Sequence, residues 1–135
     1  MINMSATTSS LMLIALDAMW LYVFMGRRFM SMVARIQKKP TKIRGWAIIG
    51  AYALMVLGHL LFVLPHVKSA LDALRTGFLF GVIVYGIFEL TNAAVFQDWD
   101  LRLAFVDIAW GGFVFAVAAW LFWLSDHKRA GSVLT

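Results

Sequence analysis

Four apolar segments, each about as long as a membrane-spanning helix, alternate with polar stretches along the chain. They cover approximately residues 9–25, 46–64, 77–96 and 103–124. A helix needs about 20 apolar residues to cross the hydrocarbon core of a bilayer, and backbone groups in lipid must find their partners within the segment. The short alternating segments of a transmembrane β-barrel do not occur. The pattern therefore predicts an all-α fold, a four-transmembrane-helix bundle, with residues 1–135 as a single membrane domain.

Composition also indicates a lipid environment. Hydrophobic residues make up 62% of the chain and charged residues 14%, whereas soluble proteins have about 45–50% and about 25%. Trp46, Trp99 and Trp123 lie near segment ends, where an aromatic belt is expected. The chain contains no cysteine, which excludes disulfides and thiolate metal sites.

Basic residues are concentrated in the connection between the first and second segments, residues 27–44. This connection contains Arg27, Arg28, Arg35, Lys38, Lys39, Lys42 and Arg44. Arg102, in the third connection, must lie on the same side of the membrane. The opposite side has only Lys68, Arg75, Lys128 and Arg129. The positive-inside rule therefore predicts that residues 27–44 are cytoplasmic and that both termini lie outside.

The same connection has an amphipathic pattern. Phe29, Met32, Val33 and Ile36 recur at helical spacing opposite the basic side chains, and Pro40 ends the pattern. This predicts a short helix at the membrane interface, with the basic residues of the connection on anionic lipid headgroups. Membrane lipids are therefore the expected partners. A nucleic-acid partner is not expected, because the positive-inside rule already accounts for these charges.

Three of the seven acidic residues, Asp17, Glu89 and Asp107, fall inside the predicted spans. Each costs about 2.5–3.5 kcal/mol at a helix centre, so we expect these side chains to face the bundle interior or a wet cavity. At about 1.5 Å of rise per residue, Glu89 and Asp107 lie about 10 Å and about 6 Å from the cytoplasmic ends of their helices. Asn92 is level with Asp107. We therefore expect Glu89, Asn92 and Asp107 to meet in the cytoplasmic half, with Asp17 contributing from the first helix.

Helical faces support this inward orientation. On the third segment, one stripe at spacings of three and four contains Gly77, Gly81, Tyr85, Glu89 and Asn92. Its glycines allow another helix to approach closely, and Tyr85 can donate to a carboxylate. Trp20 and Trp110 each follow an acid by three positions, so each lies on the face of that acid. They can pack in the core, form a cavity wall, or contact a cationic ligand.

His59, in the second segment, can act as a proton partner or metal ligand beside Asp17, although a lone histidine on a helix face is more often simply hydrogen-bonded. The sequence contains no GxSxG, HExxH, phosphate-binding loop or cysteine nucleophile. We therefore predict no cofactor and no metal site, and an enzymatic role is not favoured.

Three short stretches that contain these polar residues stand out as motifs: LDAMWL at 16–21, YGIFELTN at 85–92 and VDIAWGG at 106–112. In this order they resemble the signature segments of an uncharacterised membrane family, domain of unknown function 2177, which read LDxxWL, YGxYDLTN and VDxxWG. The chain departs from them at Phe88, where Tyr is usual, and at Glu89, where Asp is usual. The resemblance implies four transmembrane helices and brings no known reaction. It also implies one recurring set of residues, Asp17, Glu89, Asn92 and Asp107.

Three classes of function remain open. The polar site can belong to a small transporter or channel, or to a binder of lipids or small molecules. The buried acids can instead be inter-helix hydrogen-bond glue in a structural or accessory membrane protein. A lipid-modifying enzyme with a carboxylate pair as acid and base is the third class. A homo-oligomer is a further hypothesis, because four helices enclose little volume.

Overall fold

The computed structural model describes residues 4–132, with side chains described as far as Lys128, so the Arg129 side chain lies outside the described part. Regular structure in this range is entirely helical. Four helical spans are long and apolar enough to cross a membrane: Met4–Gln37, Gly45–His66, Ala70–Val95 and Leu101–Lys128. The predicted all-α membrane fold with four spanning helices is confirmed.

The first span is a continuous helix that extends well beyond the apolar segment. It consists of α1 (Met4–Trp20), a π-helical turn (Leu21–Met25) and α2 (Gly26–Gln37). Its 34 residues are about 50 Å long, more than the roughly 30 Å of hydrocarbon, so one end must leave the hydrocarbon core. The sequence pattern ended this helix at residue 25 because polarity rises there. The helix ends instead where Lys38 adopts a left-handed conformation, with φ of 52°, just before Pro40.

The apolar face of α2 packs against the loop that follows the third span and the start of the fourth. Met32 is 1% exposed and packs against Trp99 and Ala104, with Phe29 and Ile36 beside them. The structure contains the predicted helix as a continuation of the first span, and the contact of its basic residues with anionic headgroups stays a prediction. The loop after the third span supplies the large apolar surface of Trp99, which α2 covers.

The second span consists of α3 (Gly45–Gly58), a π-helical turn (His59–Val63) and a 3₁₀ turn (Leu64–His66). Its later half is well packed, because His59 and Val63 are fully buried and an added Cβ at Gly58 would lie 2.6 Å from the Phe80 ring. Its earlier half is largely exposed, from Gly45 to Ala51 without a break. The helix is thus anchored at one end and leaves a gap beside its neighbours at the other.

The remaining two spans, α4 (Ala70–Val95) and α5 (Leu101–Ser132), form the most extensive helix pair. The Ser69 side chain caps α4 by accepting the Asp72 backbone N–H at 3.1 Å, and α4 therefore begins seven residues before the apolar segment does. An added Cβ at Gly77 would lie 2.5 Å from the Phe115 carbonyl oxygen, and one at Gly81 would overlap the Gly111 backbone. The glycine stripe of α4 thus lies directly against α5.

Two apolar cores lie at different levels of the bundle. The larger core contains Leu13, Val63, Ala73, Val114, Phe115, Ala118 and Ala119. The smaller one, Met32, Trp99 and Ala104, lies beneath α2 on the side of the 27–44 connection. The helix registers put the buried acids between these two cores, since Asp17 follows Leu13 by one turn and Asp107 follows Ala104 by one turn.

Candidate functional site

Asp17 accepts hydrogen bonds from three other helices. It is 4% exposed. Tyr52 Oη of α3 donates to Oδ2 at 3.0 Å. Tyr85 Oη of α4 and Trp110 Nε1 of α5 donate to Oδ1 at 2.5 Å and 3.1 Å. A single carboxyl group of α1 thus links all four spans, and no donor in this set carries a charge.

Asp107 and Asp17 each accept a hydrogen bond from the tryptophan of the other acid's helix. Trp20 Nε1 donates to its Oδ1 at 2.9 Å, while Trp110 donates to Asp17. The two indole rings stack with centroids 4.5 Å apart and planes 6° from parallel. Each Asp-x-x-Trp motif therefore supplies the donor for the acid of the other motif.

The spacing and direction of the helices explain this cross-pairing. Residues i and i+3 share a helix face, so each tryptophan lies about one turn from the acid of its own helix. Because α1 and α5 cross the bundle in opposite directions, Trp20 is level with Asp107 and Asp17 is level with Trp110. The similarity between LDAMW and VDIAW in the sequence thus corresponds to a paired contact in the fold.

Glu89 lies next to the smaller core, on the side that faces the other two acids. It is 0% exposed, and its Oε2 accepts Trp99 Nε1 at 2.7 Å. Its Oε1 has no hydrogen-bond partner, and its carboxyl group lies within interaction range of the Asp107 carboxyl. The prediction that Trp99 belongs to an interfacial belt is wrong, because the ring is 7% exposed and its N–H is turned inward.

The structure joins most of the predicted polar residues but separates two from the carboxyl groups. Asn92 donates to the Phe88 carbonyl oxygen of its own helix at 2.8 Å. His59 pairs with Ser9 instead of Asp17: its Nε2 lies 2.7 Å from Ser9 Oγ. Within residues 4–128, no group of three or more His, Cys, Asp or Glu side chains is arranged to hold a metal ion.

The His59 site is a separate polar contact in the larger core. Ser9 Oγ donates to the Ala118 carbonyl oxygen at 2.7 Å. Because this hydroxyl has one proton, His59 must donate from Nε2, and its buried Nδ1 is then an acceptor without a partner. Leu13 and Phe115, both 0% exposed, lie in the core between this contact and the acids. His59 therefore links helices without reaching Asp17.

A cavity of about 830 Å³ lies between α3 and α4 and reaches the carboxyl cluster. Its wall is mainly apolar and includes Leu21, Ile48, Ala51, Met55, Val84 and Phe88. Asp17, Tyr85 and Asp107 are the polar residues of its lining. Since Ala51 and Phe88 are exposed, the cavity opens on the face that the bundle turns to lipid.

Two donors of this site were not predicted as site residues. Tyr52 lies seven positions before His59, so the two side chains share a face of their helix. This spacing of two polar residues in an apolar segment could have identified Tyr52 from the sequence. Trp99 gave no such signal, because a tryptophan after a span is usual at a membrane interface. Only the packing of α2 over the loop reveals its inward position.

The comparisons with known proteins concern the family only. Residues 2–124 match the family model described as Predicted membrane protein (DUF2177). No curated protein and no solved structure matches the chain. The three motif segments, whose acids form the carboxyl cluster, all lie in the matched range. The chain therefore belongs to the DUF2177 family of predicted membrane proteins.

Proposed function

We propose that this protein binds a membrane amphiphile in the cavity between α3 and α4. One observation carries the proposal: the wall of the cavity is mainly apolar, but it also contains the carboxyl groups of Asp17 and Asp107. The apolar body of the ligand lies along α3 and α4. Its polar head points to the two acids.

The size and lining of the cavity suit such a ligand. Small-molecule sites enclose about 300–1,000 Å³ and are mainly apolar, with a few polar groups that orient the ligand. The cavity measures about 830 Å³. Along α3 the wall extends from Ile48 to Met55, which corresponds to about 10 Å of helix. This length holds the tail of a single-chain or ring-containing lipid.

Access from the bilayer follows from the packing of α3. The earlier half of this helix has little contact with the rest of the bundle, apart from the hydrogen bond from Tyr52 to Asp17. A ligand dissolved in the bilayer can therefore enter sideways. We further propose that residues 27–44 are cytoplasmic, as their basic charge predicts, so that the cavity faces the cytoplasmic half of the membrane.

A channel along the bundle axis has less support. A conduction path would have to connect Asp17 with the polar contact of His59 and Ser9. Leu13, Val114 and Phe115 are all 0% exposed in the core between these levels. Apolar packing at this level favours a site that opens on one half of the membrane.

The hydrogen bonds of Asp17 favour a second candidate, a purely structural role. Both of its oxygens accept hydrogen bonds, and the three donors come from three different helices. Interhelical hydrogen bonds in membranes contribute about 0.6–2 kcal/mol each. In this candidate the cavity holds ordinary bilayer lipid without selectivity.

The two candidates differ in where a lipid probe reacts. The experiment uses a long-chain fatty alcohol with a diazirine in its tail, incorporated with the full-length protein into zwitterionic vesicles. After irradiation, mass spectrometry locates the adducts. We expect adducts concentrated at residues 48–55 and 80–88. We also expect Ala51→Phe, which fills the cavity, to reduce them severalfold.

Ala53→Phe is the matched control, because Ala53 is exposed on the same helix but does not line the cavity. It should leave the adducts unchanged. Adducts spread evenly over all lipid-facing positions, or equal labelling of Ala51→Phe and the parent, would show that only bulk lipid contacts this surface. The structural candidate would then stand.

A further inference from the structure

The carboxyl groups at the end of the cavity form a chain of three. The Asp107 carboxyl lies within interaction range of both the Asp17 and the Glu89 carboxyls. Among the described residues, the N–H and O–H donors to these carboxyls are tryptophan and tyrosine side chains, and the Glu89 and Asp107 carboxyls also lie within hydrogen-bonding range of each other. In the part of the chain that the structure describes, neither lysine nor arginine donates to any of them.

The donors leave acceptor positions free. Trp20 donates to Oδ1 of Asp107. Among the described residues, no N–H or O–H group donates to the second oxygen, Oδ2, and Asp107 lines the cavity. Behind it, Glu89 Oε1 is buried and has no hydrogen-bond partner. An unpaired buried acceptor of this kind costs free energy until a donor or a positive charge comes near. Asp107 lines the cavity and Glu89 lies behind it, so the Asp107 carboxyl is the acceptor that the head of a ligand reaches.

The cavity wall adds aromatic surface near the same end. Phe80, Tyr85 and Phe88 of α4 all line it. The face of an aromatic ring attracts a cation, with the strongest effect where water is excluded. Carboxyl groups and aromatic faces therefore favour the same sign of charge in the ligand.

From this charge complementarity we infer that the ligand is a lipophilic cation, an amphiphile with a protonated amine head and an apolar body. The inference rests on the proposed function and specifies its ligand class. The ammonium group lies beside Asp107 and Asp17, and the tail extends between α3 and α4. An anionic head is disfavoured, because it would lie beside two carboxyl groups in a region of low dielectric constant.

Competition against the neutral photoprobe tests the charge of the head. Three competitors carry the same saturated chain and differ only in the head: a primary amine, an alcohol and a carboxylate. Each is compared at equal mole fraction in zwitterionic vesicles that contain the full-length protein. We expect the amine to compete at about tenfold lower concentration than the alcohol, since desolvation offsets much of the ion-pair gain. The carboxylate should compete least.

Two variants connect this preference to the cavity. Asp107→Asn keeps an oxygen that accepts from Trp20 and removes one negative charge, so the amine should lose its advantage over the alcohol. Asp98→Asn removes the same charge from an exposed loop position on the same side of the bundle. It should keep the advantage.

The outcomes separate the inference from the function on which it rests. If the probe labels the cavity but the amine competes no better than the alcohol with the parent protein, the cationic ligand class is wrong and amphiphile binding stands. Equal loss of the preference in both Asp→Asn variants would also overturn the cationic site, because surface charge would then explain it. If the probe does not label the cavity at all, the proposed function itself fails.

Discussion

At the scale of single residues, aromatic N–H and O–H groups take the place that cations hold in many buried carboxyl sites. Trp20, Trp99 and Trp110 each combine a large apolar ring with one donor, so they pack against lipid-like surroundings and still satisfy an acid. A lysine or arginine at the same depth would itself have to be desolvated. The carboxyl cluster is thus held in place by donors that carry no charge.

The bond from Trp99 to Glu89 gives a residue-scale prediction. Trp99→Phe keeps most of the apolar packing but removes the indole N–H that Glu89 accepts. We expect the free energy of unfolding to fall by about 1–3 kcal/mol, the cost of an unsatisfied buried group. Denaturation of the detergent-solubilised protein, followed by circular dichroism, measures this change.

Trp46→Phe is the control for this prediction, because Trp46 is 73% exposed. Its effect should stay within about 0.5 kcal/mol. Adding Glu89→Gln to Trp99→Phe should recover part of the loss, since a neutral amide is less costly to leave unpaired than a carboxylate. If Trp99→Phe is as stable as Trp46→Phe, the bond contributes nothing to folding.

At the scale of helices, the close approach of α4 and α5 determines how the acids meet. Gly81 lies against the backbone of Gly111 and Gly112, and Gly111 in turn lies against the ring of Tyr85. A shorter distance between these helix axes brings Tyr85 and Glu89 of α4 toward the layer that contains Asp107. Small residues thus position the polar site even though they carry no polar side chain.

The close contact between α4 and α5 at Gly81, and the open space at Gly86, predict opposite effects for substitutions of these two glycines. Gly81→Ala forces α4 and α5 apart, because the added methyl group would overlap backbone atoms that cannot move aside. It should destabilise the protein by about 1–3 kcal/mol. Gly86→Ala meets no atom within 4 Å, and it should be neutral or stabilise the helix by up to about 1 kcal/mol. Thermal unfolding of both variants in one detergent provides the comparison; equal midpoints would contradict the close packing.

At the scale of the whole molecule, basic charge is concentrated on the side of the 27–44 connection. On α2, Arg27 and Arg35 remain exposed, while the apolar face of that helix covers Trp99. The exposed basic side chains are therefore available for anionic headgroups. With four spans, Met4 and Lys128 lie at the opposite end of the bundle from this connection.

Orientation in the membrane gives the whole-molecule prediction. The chain has no cysteine, so Lys39→Cys and Lys68→Cys each introduce a single label site, and each removes one positive charge from its own side. In intact cells, an impermeant maleimide should label position 68 and leave position 39 unlabelled until the membrane is opened. Labelling of position 39 alone in intact cells would reverse the proposed orientation.

The sequence by itself determined that the protein folds in lipid and which polar side chains must face away from that lipid. Four apolar runs of spanning length predict four helices because lipid allows the backbone no other regular structure there. The high cost of a carboxyl group in hydrocarbon, together with the glycine stripe, correctly predicted that Asp17, Glu89 and Asp107 point into the bundle. These conclusions depend on transfer free energies and helical periodicity, which can be read locally along the chain.

Tertiary structure alone decided which partners these residues have. Helical periodicity gives the face of each side chain but not the rotation and vertical shift of one helix relative to the next. Asn92 was predicted near the acids from its depth and its helix face, and His59 from its depth, yet Asn92 bonds to its own helix and His59 bonds to Ser9. Tyr52 and Trp99 became donors because α3 contacts α1 and because α2 packs over the loop that contains Trp99. Packing of apolar surfaces sets these offsets, and it depends on all the helices at once.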